Sequence, residues 1–101
     1  MVYFIADTTN DIVKIGQSKD VKKRLKQLQT SNGNVLVLLG YMDGNKEKEK
    51  YLHQLFSEHK LQGEWFKLNE ILINYININN RMYCHIERID GKVYRLNKMK
   101  M

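Results

Sequence analysis

The feature that most constrains the fold lies within the first seventeen residues. The apolar run Val2-Tyr3-Phe4-Ile5 is followed by the polar turn Asp7-Thr8-Thr9-Asn10-Asp11 and then by a second strand-like segment over residues 12–17. Two strands joined by so short a turn pair as an antiparallel hairpin, which brings Tyr3 and the region of Lys14 onto neighbouring strands. The rest of the chain has to pack on this hairpin.

Beyond residue 17 the pattern alternates helix and strand. Ser18 or Asp20 caps a helix to about residue 30, with Val21, Leu25 and Leu28 on its buried face and Arg24 beside that stripe. Lys22, Lys23 and Lys26 lie round the other side, free for solvent or phosphate. After the turn Ser31-Asn32-Gly33-Asn34, residues 35–41 are apolar on both faces, which predicts the middle strand of a three-stranded sheet. Asp43-Gly44-Asn45 opens a second helix that carries Glu49, Leu52, His53 and Phe56 and is expected to end near Gly63. A short extended piece, Glu64-Trp65-Phe66, precedes a third helix over about residues 69–77. Beyond it, residues 82–89 and 92–96 flank Asp90-Gly91, a strong hairpin signal. The class predicted is α+β: a small three-stranded antiparallel sheet flanked by helices, plus a C-terminal β-hairpin.

Composition bounds the function. At 101 residues the chain makes one compact core. Its longest apolar run, Val35-Leu36-Val37-Leu38-Leu39, is far short of the roughly 20 residues that span a bilayer. The start lacks the pattern of a secretion signal, so no membrane partner and an intracellular, cytoplasmic location are expected. One cysteine, Cys84, makes neither an internal disulfide nor a multi-cysteine zinc site and reads as a small strand residue. The net charge of +6 favours a polyanionic partner such as DNA. The C-terminal ribbon interleaves Arg81, Arg88, Lys92, Arg95, Lys98 and Lys100 with Tyr83, His85 and Tyr94, a mix that suits a nucleic-acid surface as well as a solvated hairpin.

Chemistry concentrates in the first half. A tyrosine (Tyr3), a lysine (Lys14), an arginine (Arg24), a carboxylate (Glu49) and a histidine (His53) are the groups that activate water, neutralise a phosphate and hold a divalent metal. Glu49 and His53 are four apart and so share one helix face. A hard carboxylate suits Mg²⁺, and an arginine fork suits the charge that develops at a phosphoryl centre. Tyr3 and His53 both stand as candidate general bases; a neighbouring cation such as Lys14 would lower the tyrosine pKa.

Tyr3, then Lys14-Ile15-Gly16, then Arg24 eight residues after the glycine, resembles the GIY-YIG nuclease module. Glu49-x-x-Leu52-His53-x-x-Phe56 followed by Gly63-Glu64-Trp65-Phe66 is similar to its phage- and virus-associated branch. The resemblance covers residues 1–76, which divides the chain into a nuclease-like domain over 1–76 and a basic hairpin extension over 77–101. It implies DNA phosphodiester hydrolysis with a single Mg²⁺ or Mn²⁺ ion. Tyr3, Lys14, Arg24 and His53 then serve the chemistry and Glu49 holds the metal. Gly16, Gly63 and Trp65 shape the motif, and Lys22, Lys23, Lys26, Arg88, Lys92 and Arg95 contact nucleic acid. The chain departs from the pattern in three ways. Met1-Val2 stands where Gly-Ile would be, Lys14 replaces the second tyrosine, and Asn69 is the candidate for the asparagine that often closes the motif. These departures suit a rival reading, a DNA-binding module of the same fold with weak or no cleavage. A protein-interaction module is a third reading. Oligomeric state and sequence preference are not legible.

Overall fold

The computed structural model describes residues 1–98; Lys100 lies outside them. In chain order the elements are β1 (Val2–Asp7), β2 (Ile12–Gln17), α1 (Val21–Thr30), β3 (Leu36–Met42) and α2 (Lys46–Leu55). A single 3₁₀ turn (Ser57–His59) is followed by β4 (Lys60–Gln62), β5 (Trp65–Lys67), α3 (Glu70–Asn79), β6 (Cys84–Ile89) and β7 (Lys92–Asn97). The α+β class and the C-terminal hairpin are as the sequence predicts. No helix among the described residues is long and apolar enough to cross a membrane.

The sheet has five antiparallel strands rather than three, in the order β3-β1-β2-β5-β4. Its most buried strand is β1, between β3 and β2, whose six residues are all buried. Val2, Phe4 and Ala6 face a cluster that includes Leu52, Phe66, Leu72 and Ile76, while Tyr3 and Ile5 face Leu36 and Leu38 with Val21, Leu25 and Leu28 of α1 packed against them. Helices thus cover both faces, which is why a continuous apolar run was needed there.

The strand expected in the middle, β3, lies at the edge. Its two-sided apolarity reflects the helices α1 and α3, which both contact it, and not a second strand partner. The free edge is closed instead by the connector into the ribbon. Arg81 N–H donates to Tyr41 O (2.8 Å), Arg95 Nη1 to Leu38 O (2.8 Å) and Asn80 Nδ2 to Leu39 O (3.0 Å), and Asn80 Oδ1 accepts from Tyr41 N–H (3.2 Å). Capped in this way, the edge offers no row of unpaired groups to another chain. Gly40 makes the cap possible, since a Cβ there would collide with the Asn80 side chain.

The second helix is shorter than expected. Its N-cap is Asn45, whose side chain accepts from the N–H groups of Glu47 and Lys48. It stops at Leu55, one residue before the apolar stripe ends at the buried Phe56. Gly63, read as its C-cap, sits with φ of +58° between β4 and β5, a left-handed conformation that glycine adopts freely. The capping of α1 by Asp20, which accepts from Lys23 N–H, is as the sequence predicts.

In the ribbon, Asp90 (φ 52°) and Gly91 (φ 81°) take the two left-handed positions that a tight two-residue turn requires. Cys84, Ile86 and Val93 belong to the same apolar cluster as β1 and α3. The Asn77 amide of α3 pairs with Ile86 as another strand would, donating to its carbonyl (2.8 Å) and accepting from its N–H (2.7 Å).

Candidate functional site

At the N-terminal end of β1 an open cleft of about 870 Å³ lies between α1, α2 and the β4–β5 turn. Tyr3, Arg24, Glu49 and His53 all line it, although they come from three separate elements. Antiparallel pairing places Tyr3 opposite Gly16, and a Cβ on Gly16 would fall on the Tyr3 hydroxyl and ring. The glycine therefore leaves the space that the tyrosine ring occupies.

Arg24 is one turn into α1 beside the half-buried stripe; its Nη1 donates to Gln27 Oε1 (3.4 Å), and its positive charge lies near the Tyr3 hydroxyl. Burial pushes the Tyr3 pKa up; Arg24 opposes this, while Glu64 and Glu49 add to it, and the balance stays above the ordinary phenol value. The cation beside Tyr3 is thus Arg24 rather than Lys14. Lys14 instead reaches Glu64, its Nζ 3.4 Å from the carboxylate and 5.5 Å from the centroid of the Trp65 ring.

On α2, Glu49 has a side chain 17 % exposed. Burial first, and then the Glu64 carboxyl alongside it, raise its pKa; His53 and Lys46 act the other way. Two carboxyl groups side by side disfavour a second negative charge, and this adds to the effect of burial on Glu49. His53 Nε2 lies 2.9 Å from Ile15 O and 3.9 Å from Glu49 Oε1. A carbonyl only accepts, so Nε2 carries the proton and Nδ1 is the only ring nitrogen left to take one up. The ring also packs edge-on against Phe66, with centroids 4.9 Å apart. His53 is fixed by these contacts across α2, β2 and β5.

Glu64 is the residue that sequence reasoning passed over. It lies just before β5, and the pairing of β5 with β2 carries it to Lys14 and Glu49. The Glu64-Trp65-Phe66 cluster was visible in the sequence, but nothing local shows that its acid points at the acid of α2. Gly63 lines the cleft beside it, Trp65 is half-buried and Phe66 is fully buried. Asn69 is elsewhere: it caps α3 through Leu72 N–H and meets His59 Nδ1 at 3.0 Å.

No group of three or more His, Cys, Asp or Glu side chains that could hold a metal occurs among the described residues. Two adjacent carboxyl groups are nonetheless a hard-oxygen donor set of the kind Mg²⁺ and Mn²⁺ accept, since these ions keep several waters and take further ligands from a phosphate. A zinc-type cage of nitrogen and sulfur ligands has no counterpart among the described residues.

The remaining predicted contacts divide. Lys22, Lys23 and Lys26 are exposed on α1 and do not line the cleft. Lys92 is exposed in β7. Arg88 and Arg95, expected to face phosphates, have partners within the fold. Arg88 donates to Glu70 Oε1 (3.1 Å), Asp11 Oδ1 (3.2 Å), Gly91 O (3.1 Å) and Leu68 O (2.6 Å), and Arg95 donates to Leu38 O.

Neither a curated protein nor a solved structure matches the chain. The T5orf172 domain, a phage-associated domain, matches residues 1–88, and the chain belongs to that family.

Proposed function

We propose that the protein is a divalent-metal-dependent DNA endonuclease of the GIY-YIG type, acting in a phage, viral or mobile-element context. The observation that carries this reading is the convergence of Tyr3, Arg24, Glu49 and His53, with Glu64, on one open cleft. Membership of a phage-associated family supports the setting.

In this reading Arg24 presents its planar donor fork to the non-bridging oxygens of the scissile phosphate and meets the extra charge as water attacks phosphorus and the bridging P–O bond breaks. Glu49, with Glu64 beside it, holds one Mg²⁺ or Mn²⁺ ion. When bound, such an ion supplies Lewis-acid stabilisation of the leaving oxygen. Tyr3 orients the attacking water through its hydroxyl, with the Arg24 guanidinium as the cation that favours its ionised form. His53 ties α2 to β2 through the hydrogen bond from Nε2 to Ile15 O and is a positioning residue. Lys14 fixes Glu64.

The test is nicking of supercoiled plasmid by purified protein, with Mg²⁺ or with EDTA, for the parent and Glu49→Gln. Relaxed circles are expected only for the parent with Mg²⁺; equal nicking by Glu49→Gln removes the metal assignment. One observation favours the rival, a DNA-binding module without cleavage. Burial first, and then Glu64 and Glu49, raise the Tyr3 pKa and so work against its ionisation. Binding of plasmid without nicking in any divalent metal would establish that rival.

A further inference from the structure

The cleft carries more positive charge than its proposed chemistry uses. Besides Arg24, its lining includes Lys46 and Lys50 of α2 and Lys60 of β4, four cations against the two carboxyl groups of Glu49 and Glu64. All three lysines are exposed, and none has an ion-pair partner among the described residues. Lys46 and Lys50 are four apart, so they stand on the same face of α2 as Glu49 and His53, about 6 Å from each other along the axis. Like charges at this spacing repel and weaken a helix. A polyanion over the cleft removes that repulsion.

The other cations of the molecule are differently placed. Arg88 and Arg95 of the ribbon donate to carbonyls and carboxylates of their own chain, and Arg81 pairs with Asp43 at 2.8 Å. Lys22, Lys23 and Lys26 lie outside the cleft lining. Resting on the nuclease reading above, we propose that Lys46, Lys50 and Lys60 hold the phosphates flanking the scissile one. The DNA strand then lies over α2 and the β4–β5 turn rather than along the ribbon.

Phosphate contacts show themselves through counterion release: log K falls with log[salt] at about −0.9 per neutralised phosphate on duplex DNA. The experiment measures binding of the full chain to a short duplex in EDTA over a series of salt concentrations. It compares the parent, the triple variant Lys46→Gln/Lys50→Gln/Lys60→Gln, and a control triple with equal loss of charge, Lys22→Gln/Lys23→Gln/Lys26→Gln. The cleft triple is expected to flatten the slope by about two to three units, and the control by less than one. An unchanged slope in the cleft triple, with the parent still binding and nicking, overturns the flanking-phosphate assignment and leaves the nuclease reading standing. Equal flattening by both triples also overturns it, since net charge alone then sets affinity. A parent that neither binds nor nicks DNA removes the nuclease reading, and this proposal with it.

Discussion

The two ends of β1 use the same kinds of residue in opposite ways. At the Val2 end, charged groups have few partners and still face an open cleft: Arg24 reaches Gln27, Glu49 lies 3.9 Å from His53 Nε2, and Lys46, Lys50 and Lys60 have no ion partner among the described residues. At the Asp7 end they are closed. Asp7 is 3 % exposed and accepts from Asn10 N–H, Asn10 Nδ2 and Asn34 Nδ2, and Arg88 bridges Asp11, Glu70, Leu68 and Gly91. The lesson is that charge alone does not mark a binding surface. A cation whose donors are engaged within its own fold is structural, and one left facing a concave surface has room for a ligand.

Substitutions at the open end should abolish activity while sparing the fold. Glu49→Gln is expected to leave no detectable nicking and nearly unchanged DNA affinity in EDTA. Arg24→Ala should lower kcat by about 10²–10³-fold, the scale for losing a preorganised donor at a charged transition state. Loss of DNA affinity with kcat intact would make Arg24 a ground-state phosphate anchor and weaken the contrast between the two ends. Gly16→Ala comes next. A Cβ at residue 16 displaces the Tyr3 ring, and misplacement by about 1 Å costs on the order of 10²-fold in rate. A normal rate in a folded Gly16→Ala protein would show that the position of Tyr3 does not matter to cleavage.

How much of this contrast the sequence displayed depends on the range of each interaction. The N-terminal hairpin, the Asp20 cap and the Asp90-Gly91 turn are local, so a few residues suffice to read them. Tyr3, Arg24 and Glu49 came from a family pattern, and the structure brings them to one cleft. The partners of Arg88 stand 18 and 77 residues away, at Glu70 and Asp11, and no window of sequence connects them. Glu64 was hidden for a related reason, because its approach to Glu49 needs both the β2–β5 register and the end of α2 at Leu55. The edge position of β3 depends on Asn80 and Arg95 reaching back across about half the chain.

At the closed end the effects should appear in stability. Arg88→Ala removes donors to two carbonyls and two carboxylates, and its side chain is only 25 % exposed. The carboxylates are more open to solvent, so the carbonyl contacts matter most, and the expected loss is about 2 kcal/mol. For a domain of this size that lowers Tm by roughly 8–16 °C. The salt dependence of DNA binding should not change. A flattened slope with an unchanged Tm would reverse the assignment and make Arg88 a phosphate contact, which would break the comparison at its clearest point.

The acids at the two ends of β1 also respond oppositely to pH. Burial alone would raise the Asp7 pKa, but hydrogen bonds from Asn34 and Asn10 outweigh it and hold the carboxyl below its ordinary value. The folded state therefore binds this proton less readily than the unfolded chain. The stability contributed is present above the unfolded carboxyl pKa, about 3.9, and is lost as pH falls through the folded value. Asp7→Asn keeps one acceptor oxygen and the shape of the side chain, so it should cost only about 1 kcal/mol at pH 7. Denaturant titrations of parent and Asp7→Asn from pH 7 to pH 3 should show the gap narrowing as the parent carboxyl protonates. The raised Glu49 pKa has the opposite sign, because burial first, and then the neighbouring Glu64, disfavour its charged form in the folded state. Ionising Glu49 costs stability as pH rises from its ordinary value through its folded value, so Glu49→Gln should gain on the parent at pH values above those over which Asp7 comes to support the fold. Parallel pH profiles for the two variants would show that the two ends of β1 do not differ in how their acids are held.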